Sequence, residues 1–171
     1  DLFAREYEQR LATHAFKPWL YQIDHMGGIQ TLSETAEILP FQSIKDYEDW
    51  IKRLQGVGAL VDQHIALLDE AVREARTQPR AIMERLPPQL ALQVVDAPEK
   101  SPFYPPFQRF PDGIGAADRA RLEAAGRAAI AESVLPAYRR LQTAFVERYL
   151  PATRASVGIS GTPQGADYYR E

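Results

Sequence analysis

An apolar stripe with the period of an α-helix is the strongest constraint in this sequence. It runs through residues 57–77 at spacings of three and four, and its members are Leu60, Val61, Ile65, Leu68, Val72 and Ala75. Glu70 and Glu74 fall on the opposite side, where a helix would meet water. The alternating pattern typical of a half-buried strand is absent over any four residues. The sequence therefore predicts an all-α fold, an irregular multi-helix domain.

Two further stripes predict helices at either end of the chain. One covers residues 2–13, with Leu2, Phe3, Tyr7 and Leu11 near one face. The other covers about residues 116–150, opens at Asp118 and contains Pro136. Because proline removes an internal hydrogen bond, we expect a long helix that is kinked at this position.

Local signals divide the rest of the chain. Ser43 and Asp46 form a capping-box pattern, from which we expect a helix to Leu54 with Gly56 as its C-terminal cap. Short helices are expected near residues 31–38, on both sides of Pro87-Pro88 within residues 79–95, and from Ala166 onward.

The proline-rich stretch over residues 96–115 contains four aromatic side chains, Phe103, Tyr104, Phe107 and Phe110. Exposed aromatic rings are unfavourable, which predicts an ordered aromatic loop. With 171 residues, the chain fits a single helical domain, residues 1–171.

Composition excludes several classes of function. There is no cysteine, so disulfides, thiolate metal sites and a cysteine nucleophile are excluded. No apolar run approaches the ~20 residues that span a bilayer. A net charge of −3 does not favour nucleic acid as a partner. The first half is richer in acidic residues and the last third in arginine, which favours complementary packing, with an arginine-lined binding face as the alternative.

No set of residues in the chain forms a catalytic motif. Zinc hydrolysis on a helix would need histidines one turn apart, but His14, His25 and His64 share no turn. His25 follows Asp24 in an irregular stretch, where it would be either a structural residue or a base or ligand. His64 falls close to the apolar stripe and is expected at the edge of the core. No Gly-x-Ser-x-Gly elbow or phosphate loop is present.

The closing residues carry a distinctive series of short motifs. They are Tyr149-Leu-Pro-Ala-Thr-Arg154, Ser156-Val-Gly-Ile-Ser160, Thr162-Pro-Gln-Gly165 and Tyr168-Tyr169. The series resembles the bacterial family known as domain of unknown function 885. In that family a long helix ends in Leu-Pro-x-x-Arg, and a Ser-x-Gly-Leu-Ser turn, a Leu-Pro-x-Gly turn and a Tyr-Tyr or Trp-Tyr pair follow. Thr162 and Gln164 stand where the family usually has Leu and Asn. Looser matches extend the resemblance back to about Gly27.

The resemblance implies a function whose chemistry lies outside this chain. Family members are several times longer, largely helical and similar to zinc metallopeptidases, with a His-Glu-x-x-Pro-Gly-His-His motif downstream of the Tyr-Tyr pair. None of that motif is present here, so no zinc ligand or catalytic residue carries over. The resemblance implies a non-catalytic N-terminal helical portion that forms one wall of a cleft for a peptide-like substrate. Its partner would be the downstream catalytic portion, which would hold the zinc.

The same resemblance places four residues beside the cleft: Arg154, Gln164, Tyr168 and Tyr169. Helix packing is the alternative role for the two tyrosines. If the chain is a fragment cut after Glu171, apolar surface should be exposed near its end. Family members often carry export or lipoprotein signals, which implies an extracytoplasmic location.

Two other interpretations stay open at this point. The chain would be a stand-alone binding or scaffold module if the loop from Phe103 to Phe110 were exposed as a contact surface. It would be a complete small enzyme only if His25 or His64 acted as its base.

Overall fold

The computed structural model describes residues 2–14 and 16–168, and the regular elements in these ranges are helical. The α-helices are α1 (Leu2–His14), α2 (Thr35–Ile38), α3 (Ile44–Arg73), α4 (Arg80–Met83), α5 (Leu86–Gln93), α6 (Ala116–Ala129), α7 (Leu135–Ala144) and α8 (Gly165–Tyr168). Short 3₁₀ turns lie at Pro18–Tyr21, Ile29–Glu34, Pro98–Lys100, Pro105–Gln108, Leu150–Ala152 and Ile159–Gly161. An isolated bridge between Pro79 and Arg154 is the one strand-like pairing in the described ranges. The all-α prediction is confirmed.

Helix α3 is a single helix of 30 residues where the sequence predicted two. The predicted capping box is present, with the Asp46 carboxylate accepting from the Ser43 amide at 2.8 Å. The predicted cap at Gly56 is wrong, because the helix continues to Arg73. Leu54 and Val57, on either side of this glycine, are buried in the core. Their burial outweighs the ~1 kcal/mol that a glycine costs inside a helix.

A second long helical segment covers residues 116–149. It consists of α6, a π-helical turn at Ile130–Val134, α7, and a further π-helical turn at Phe145–Tyr149. Pro136 lies in the first turn of α7, directly after the first π turn, so the missing amide falls where the helix is already interrupted. The long, proline-interrupted helix is therefore confirmed, with its start at Ala116 instead of Asp118. No helix in the described part of the chain is both long and apolar enough to cross a membrane.

The core lies between α3 and this second long segment. Gly58 allows a close approach, since its amide donates a hydrogen bond to the Ser133 hydroxyl oxygen at 3.1 Å. Ion pairs line the edge of the same interface, with Arg140 2.8 Å from Asp62 and Arg148 2.9 Å from Asp69. The acidic first half and the arginine-rich last third therefore pack with complementary charges, as the first of the two interpretations predicted.

The aromatic loop is part of the core. Phe103, Tyr104 and Phe107 are all buried, and the Trp50 indole donates to the Phe103 carbonyl at 3.3 Å. The predicted order of this loop is confirmed. The alternative of a stand-alone module that uses the loop as an exposed contact surface is wrong, because these rings face the protein's own interior.

Tyr138 offers a test of the buried packing around α7. Its hydroxyl donates to the Ile29 carbonyl at 2.7 Å, and burial raises the pKa of the phenol. In the unfolded chain a tyrosine loses its proton at about pH 10, whereas buried Tyr138 of the folded protein keeps its proton at that pH. Stability should therefore fall as pH rises above ~10, because unfolding then releases a proton.

We expect Tyr138→Phe to lower the free energy of unfolding by ~1 kcal/mol at neutral pH and to flatten its decline in alkali. Urea unfolding measured at neutral and alkaline pH checks both effects. Phe at exposed Tyr7 is the matched control. An unchanged alkaline slope in the Tyr138 variant would show that other groups cause the decline.

Candidate functional site

The closing turn, residues 150–165, folds back against the segment that follows α3. The Arg80 amide donates to the Arg154 carbonyl at 2.8 Å, and the Arg154 amide donates to the Thr77 hydroxyl at 3.1 Å. These bonds form around the bridge between Pro79 and Arg154. The turn is thus attached to the body of the fold through its backbone.

The Arg154 side chain shapes the turn from inside. Its Nε donates to the Thr77 carbonyl at 2.9 Å, and its Nη1 donates to the carbonyls of Ser156 and Gly158, each at 2.6 Å. Three backbone carbonyls therefore take up donors of one guanidinium group. The contacts of Arg154 hold the turn, and its predicted role in substrate binding stays a prediction.

Two glycines of the closing motif are required by close packing. A methyl group on Gly161 would overlap the Ser156 side chain, and one on Gly165 would overlap the backbone carbonyl of Ile159. The second overlap is the more severe, because a backbone atom cannot rotate away. These contacts explain the glycine at each position of the motif.

Arg76 joins three segments that are far apart in sequence. Arg76 is only 6% exposed. Nη1 donates to the Phe16 carbonyl at 3.2 Å, Nη2 donates to Gln164 Oε1 at 2.9 Å, and Nε lies 3.7 Å from Glu74 Oε2. We call Lys17, Glu74, Ala75, Arg76 and Gln164 the Arg76 junction.

Backbone strain is concentrated at this junction. Lys17, Ala75 and Gln164 have φ of 51°, 54° and 61°, and they are the non-glycine residues with positive φ in the described part of the chain. A side chain at positive φ costs of order 1–3 kcal/mol and persists only where the surroundings enforce it. The backbone bonds that end α3, from the Ala75 amide to Val72 and from the Arg76 amide to Ala71, enforce it at Ala75, and the Arg76 side chain holds Gln164.

Opposite charges accompany the strain. The Lys17 ammonium is hydrogen-bonded to Glu74 and lies 3.5 Å from Glu70. The hydrogen bond to Glu74 raises the pKa of Lys17, and Lys17 lowers the pKa of Glu74 in turn. Both groups stay charged over the neutral range, which keeps the residues after α1 attached to the end of α3.

The structure brings together part of the predicted site. Gln164 belongs to the Arg76 junction and Arg154 holds the adjoining turn, whereas Tyr168 ends α8 and Tyr169 lies outside the described residues. Val157 in the closing turn is 72% exposed, and the apolar surface expected near the chain end stays a prediction, because the last residues lie outside the described part of the chain. Sequence reasoning missed Arg76, because the charged residues around it are the same as those around a solvent-exposed arginine at a helix end.

The histidines are dispersed. His14 packs against the Trp19 ring at 4.5 Å, His25 lies in the loop before the 3₁₀ turn at Ile29–Glu34, and burial lowers the pKa of His64. Within residues 2–14 and 16–168, no three His, Asp or Glu side chains are grouped as metal ligands would be. The described residues therefore do not fit a zinc site.

The Arg76 junction acts instead as a clamp, because it fixes the course of three chain segments relative to one another.

Comparison with known proteins identifies the family. All 171 residues match the model of a family described as "Bacterial protein of unknown function (DUF885)". The chain belongs to this family. The resemblance seen in the closing motif is thus confirmed for the DUF885 family itself. No curated protein matches the sequence.

The DUF885 chain is similar to a solved structure of a protein described as "the putative lipoprotein from Colwellia psychrerythraea". The TM-score is 0.75 at 20% sequence identity, and the match covers 88% of this chain. It covers 26% of the other protein, so this chain spans about a quarter of that protein's length. At this identity the likeness establishes the fold.

Proposed function

We propose that this chain is the non-catalytic helical portion of a zinc-metallopeptidase-like hydrolase and forms one wall of its substrate cleft. The hydrolase assignment rests on the closing motif and its resemblance to longer family members. The structural part of the proposal rests on one observation, the exposed apolar face of α1.

Helix α1 carries large apolar side chains that face solvent. Leu11 is 74% exposed and Tyr7, one turn earlier, is also exposed. Water-exposed leucine and tyrosine on one face of a helix favour burial against a further surface. A larger protein, such as the relative of which this chain spans a quarter, would supply that surface.

The clamp at Arg76 supports the same proposal. It connects the residues directly after α1 with the turn directly before α8, through Phe16 and Gln164. The two ends of the described chain are thereby held in fixed relation. We infer that the clamp sets the direction of α8, and with it the position of Tyr168 and Tyr169 beside the proposed cleft.

In this proposal the zinc ligands belong to the downstream portion of the polypeptide. A bound zinc ion would polarise a carbonyl group and lower the pKa of a bound water. Arg154, Gln164 and the two tyrosines would shape the wall and orient a peptide-like substrate. Similarity to a protein described as a lipoprotein supports the further proposal of an extracytoplasmic location.

Zinc content and peptide hydrolysis test the proposal. We expect the segment 1–171 to bind no zinc tightly and to hydrolyse no fluorogenic peptide, and a longer gene product that contains it to do both. Tight stoichiometric zinc in segment 1–171 would contradict the division of roles. A zinc-free, inactive longer product would contradict the hydrolase assignment.

A substitution on α1 tests the docking part separately. We expect Leu11→Asp to lower the free energy of unfolding of the longer product by roughly 2 kcal/mol, because it removes a buried leucine there. The same change should leave segment 1–171 nearly unaffected. Arg5→Asp, on a different face of α1, is the control. If Leu11→Asp changed the free energy of unfolding equally in both proteins, Leu11 would not be buried by any part of the longer product outside this segment.

A further inference from the structure

A polar pocket of about 560 Å³ lies away from the Arg76 junction. It is bounded by the loop at residues 24–28, the 3₁₀ turn at Ile29–Glu34, helix α5 and the segment at residues 100–102. Three glutamines, Gln30, Gln89 and Gln93, line it together with His25. We call it the glutamine pocket.

Hydrogen bonds join these four residues into one network. Gln93 Nε2 donates to the Gln30 carbonyl at 2.8 Å, Gln30 Nε2 to Gln89 Oε1 at 3.3 Å, and Gln89 Nε2 to the His25 carbonyl at 3.1 Å. Asp24 fixes the loop that presents His25, since its carboxylate accepts from the amide of Met26 at 2.7 Å. The pocket is therefore built by long-range contacts between two segments.

The network leaves buried polar atoms unpaired. Within the described residues, three buried side-chain atoms lack a hydrogen-bond partner: His25 Nδ1, Gln30 Oε1 and Gln93 Oε1. All three belong to this pocket, and Gln30 and Gln93 are only 2% and 5% exposed. Buried polar atoms are almost always paired, so three unpaired ones around one pocket need an explanation.

The donors, acceptors and charges of the lining indicate which chemical group would complement the pocket. The amide nitrogens of all three glutamines already donate, so none of them is free to pair with the unpaired oxygens. Lys100 is paired with Asp96 at 2.9 Å. Glu34 lines the pocket, is exposed, and has no ion-pair partner among the described residues. The surplus therefore consists of hydrogen-bond acceptors and one negative charge.

We propose that the glutamine pocket binds a primary ammonium group attached to an apolar body. An ammonium group has three N–H donors and no acceptor, which matches the two unpaired amide oxygens, His25 Nδ1 in the tautomer that leaves it unprotonated, and the charge of Glu34. Met26 and Leu92, both largely exposed, flank the pocket and would cover the apolar body. This site is independent of the proposed hydrolase function.

Entry of the ligand requires a local rearrangement. The three acceptor atoms are closed to bulk water, so a side chain must rotate before the ammonium group reaches them. Gln89 is half-buried and accepts from Gln30 at a long 3.3 Å, which makes it the most weakly held of the three glutamines.

Butylammonium is a suitable probe, with n-butanol as its neutral isostere. The chain contains two methionines, so ¹³C-methyl labelling gives one reporter at the pocket, Met26, and one in the core, Met83. We expect butylammonium to shift the Met26 methyl resonance saturably and to leave Met83 unchanged. No shift, an unsaturable shift, or an equal shift with butanol would overturn the proposal.

Charge reversal at the rim provides the second test. Leu92 is 70% exposed, so Leu92→Lys and Leu92→Glu should both fold normally. We expect the lysine variant to weaken butylammonium binding by roughly threefold or more, and the glutamate variant to strengthen it by a similar factor. Glu34→Gln should also weaken binding. Identical affinities in the two Leu92 variants would show that no ammonium group binds here.

Discussion

Replacing Arg76 with methionine should lower the free energy of unfolding by about 2–3 kcal/mol. The change keeps most of the buried aliphatic stem but leaves the Phe16 carbonyl and Gln164 Oε1 without their donors. Hydrogen bonds from a charged donor contribute ~1.5–3 kcal/mol, and water replaces part of that loss at these part-buried acceptors, whereas the ion pair with Glu74 is long at 3.7 Å and adds little. For a domain of this size, the loss corresponds to a fall in Tm of roughly 5–10 °C.

Arg73→Met is the matched control for this prediction. Arg73 lies three residues earlier, at the exposed end of α3. The same change there should alter the free energy of unfolding by less than ~0.5 kcal/mol. Thermal unfolding of both variants checks the difference. If the Arg76 variant were as stable as the Arg73 variant, the Arg76 side chain would not stabilise the fold, and the strain at Gln164 would need another cause.

Amide hydrogen exchange near Gln164 should test the Arg76 junction directly. Without the Arg76 side chain, Gln164 loses the contact that accompanies its positive φ and is free to relax. Amide hydrogen exchange at residues 162–168 should therefore speed up more than exchange within α3. This outcome would tie Arg76 to the position of α8, which is the step on which the proposed cleft wall depends.

The sequence was sufficient for the elements that depend on local chemistry. The capping box at Ser43 was predictable because its two hydrogen bonds involve neighbouring residues only. The order of the aromatic loop followed from the cost of exposing Phe103 and Phe107. The continuity of α3 through Gly56 was not predictable, because it depends on the packing of Leu54 and Val57 against a segment 70 or so residues away along the chain.

The candidate site was only partly predictable for the same reason. Arg154 and Gln164 stand in a motif of short-range spacing, and the motif drew attention to them. Arg76 has no motif, and its burial results from the meeting of Phe16, Glu74 and Gln164. The glutamine pocket is likewise invisible in sequence, since Gln30 and Gln93 meet across a long interval of chain.

Gln164 illustrates how a departure from the family pattern acquires a structural reason. The family usually has Asn at this position, a residue that adopts the left-handed conformation readily. Gln164 adopts the same conformation, at φ 61°. Its longer side chain brings the amide oxygen to Arg76 at 2.9 Å. Glutamine therefore adopts the left-handed conformation less readily than asparagine would, but it forms a long-range hydrogen bond to Arg76.

Two helical glycines should respond to alanine in opposite directions. A methyl group on Gly126, in α6, would overlap the ring of Phe107, which is buried and packs against Tyr47 and Tyr104, so it has little room to move aside. Overpacking of this kind costs up to ~3 kcal/mol, from which the better helix propensity of alanine recovers about 1. We expect Gly126→Ala to lower the free energy of unfolding by about 2 kcal/mol.

Gly56→Ala is the matched variant, since Gly56 also lies inside a helix but has open space where its methyl group would go. We expect it to raise the free energy of unfolding by ~1 kcal/mol, because alanine loses less backbone entropy than glycine. Urea unfolding of both variants should show a difference of about 3 kcal/mol. Equal effects would mean that the ring of Phe107 yields, and that the aromatic loop is less firmly part of the core than its burial indicates.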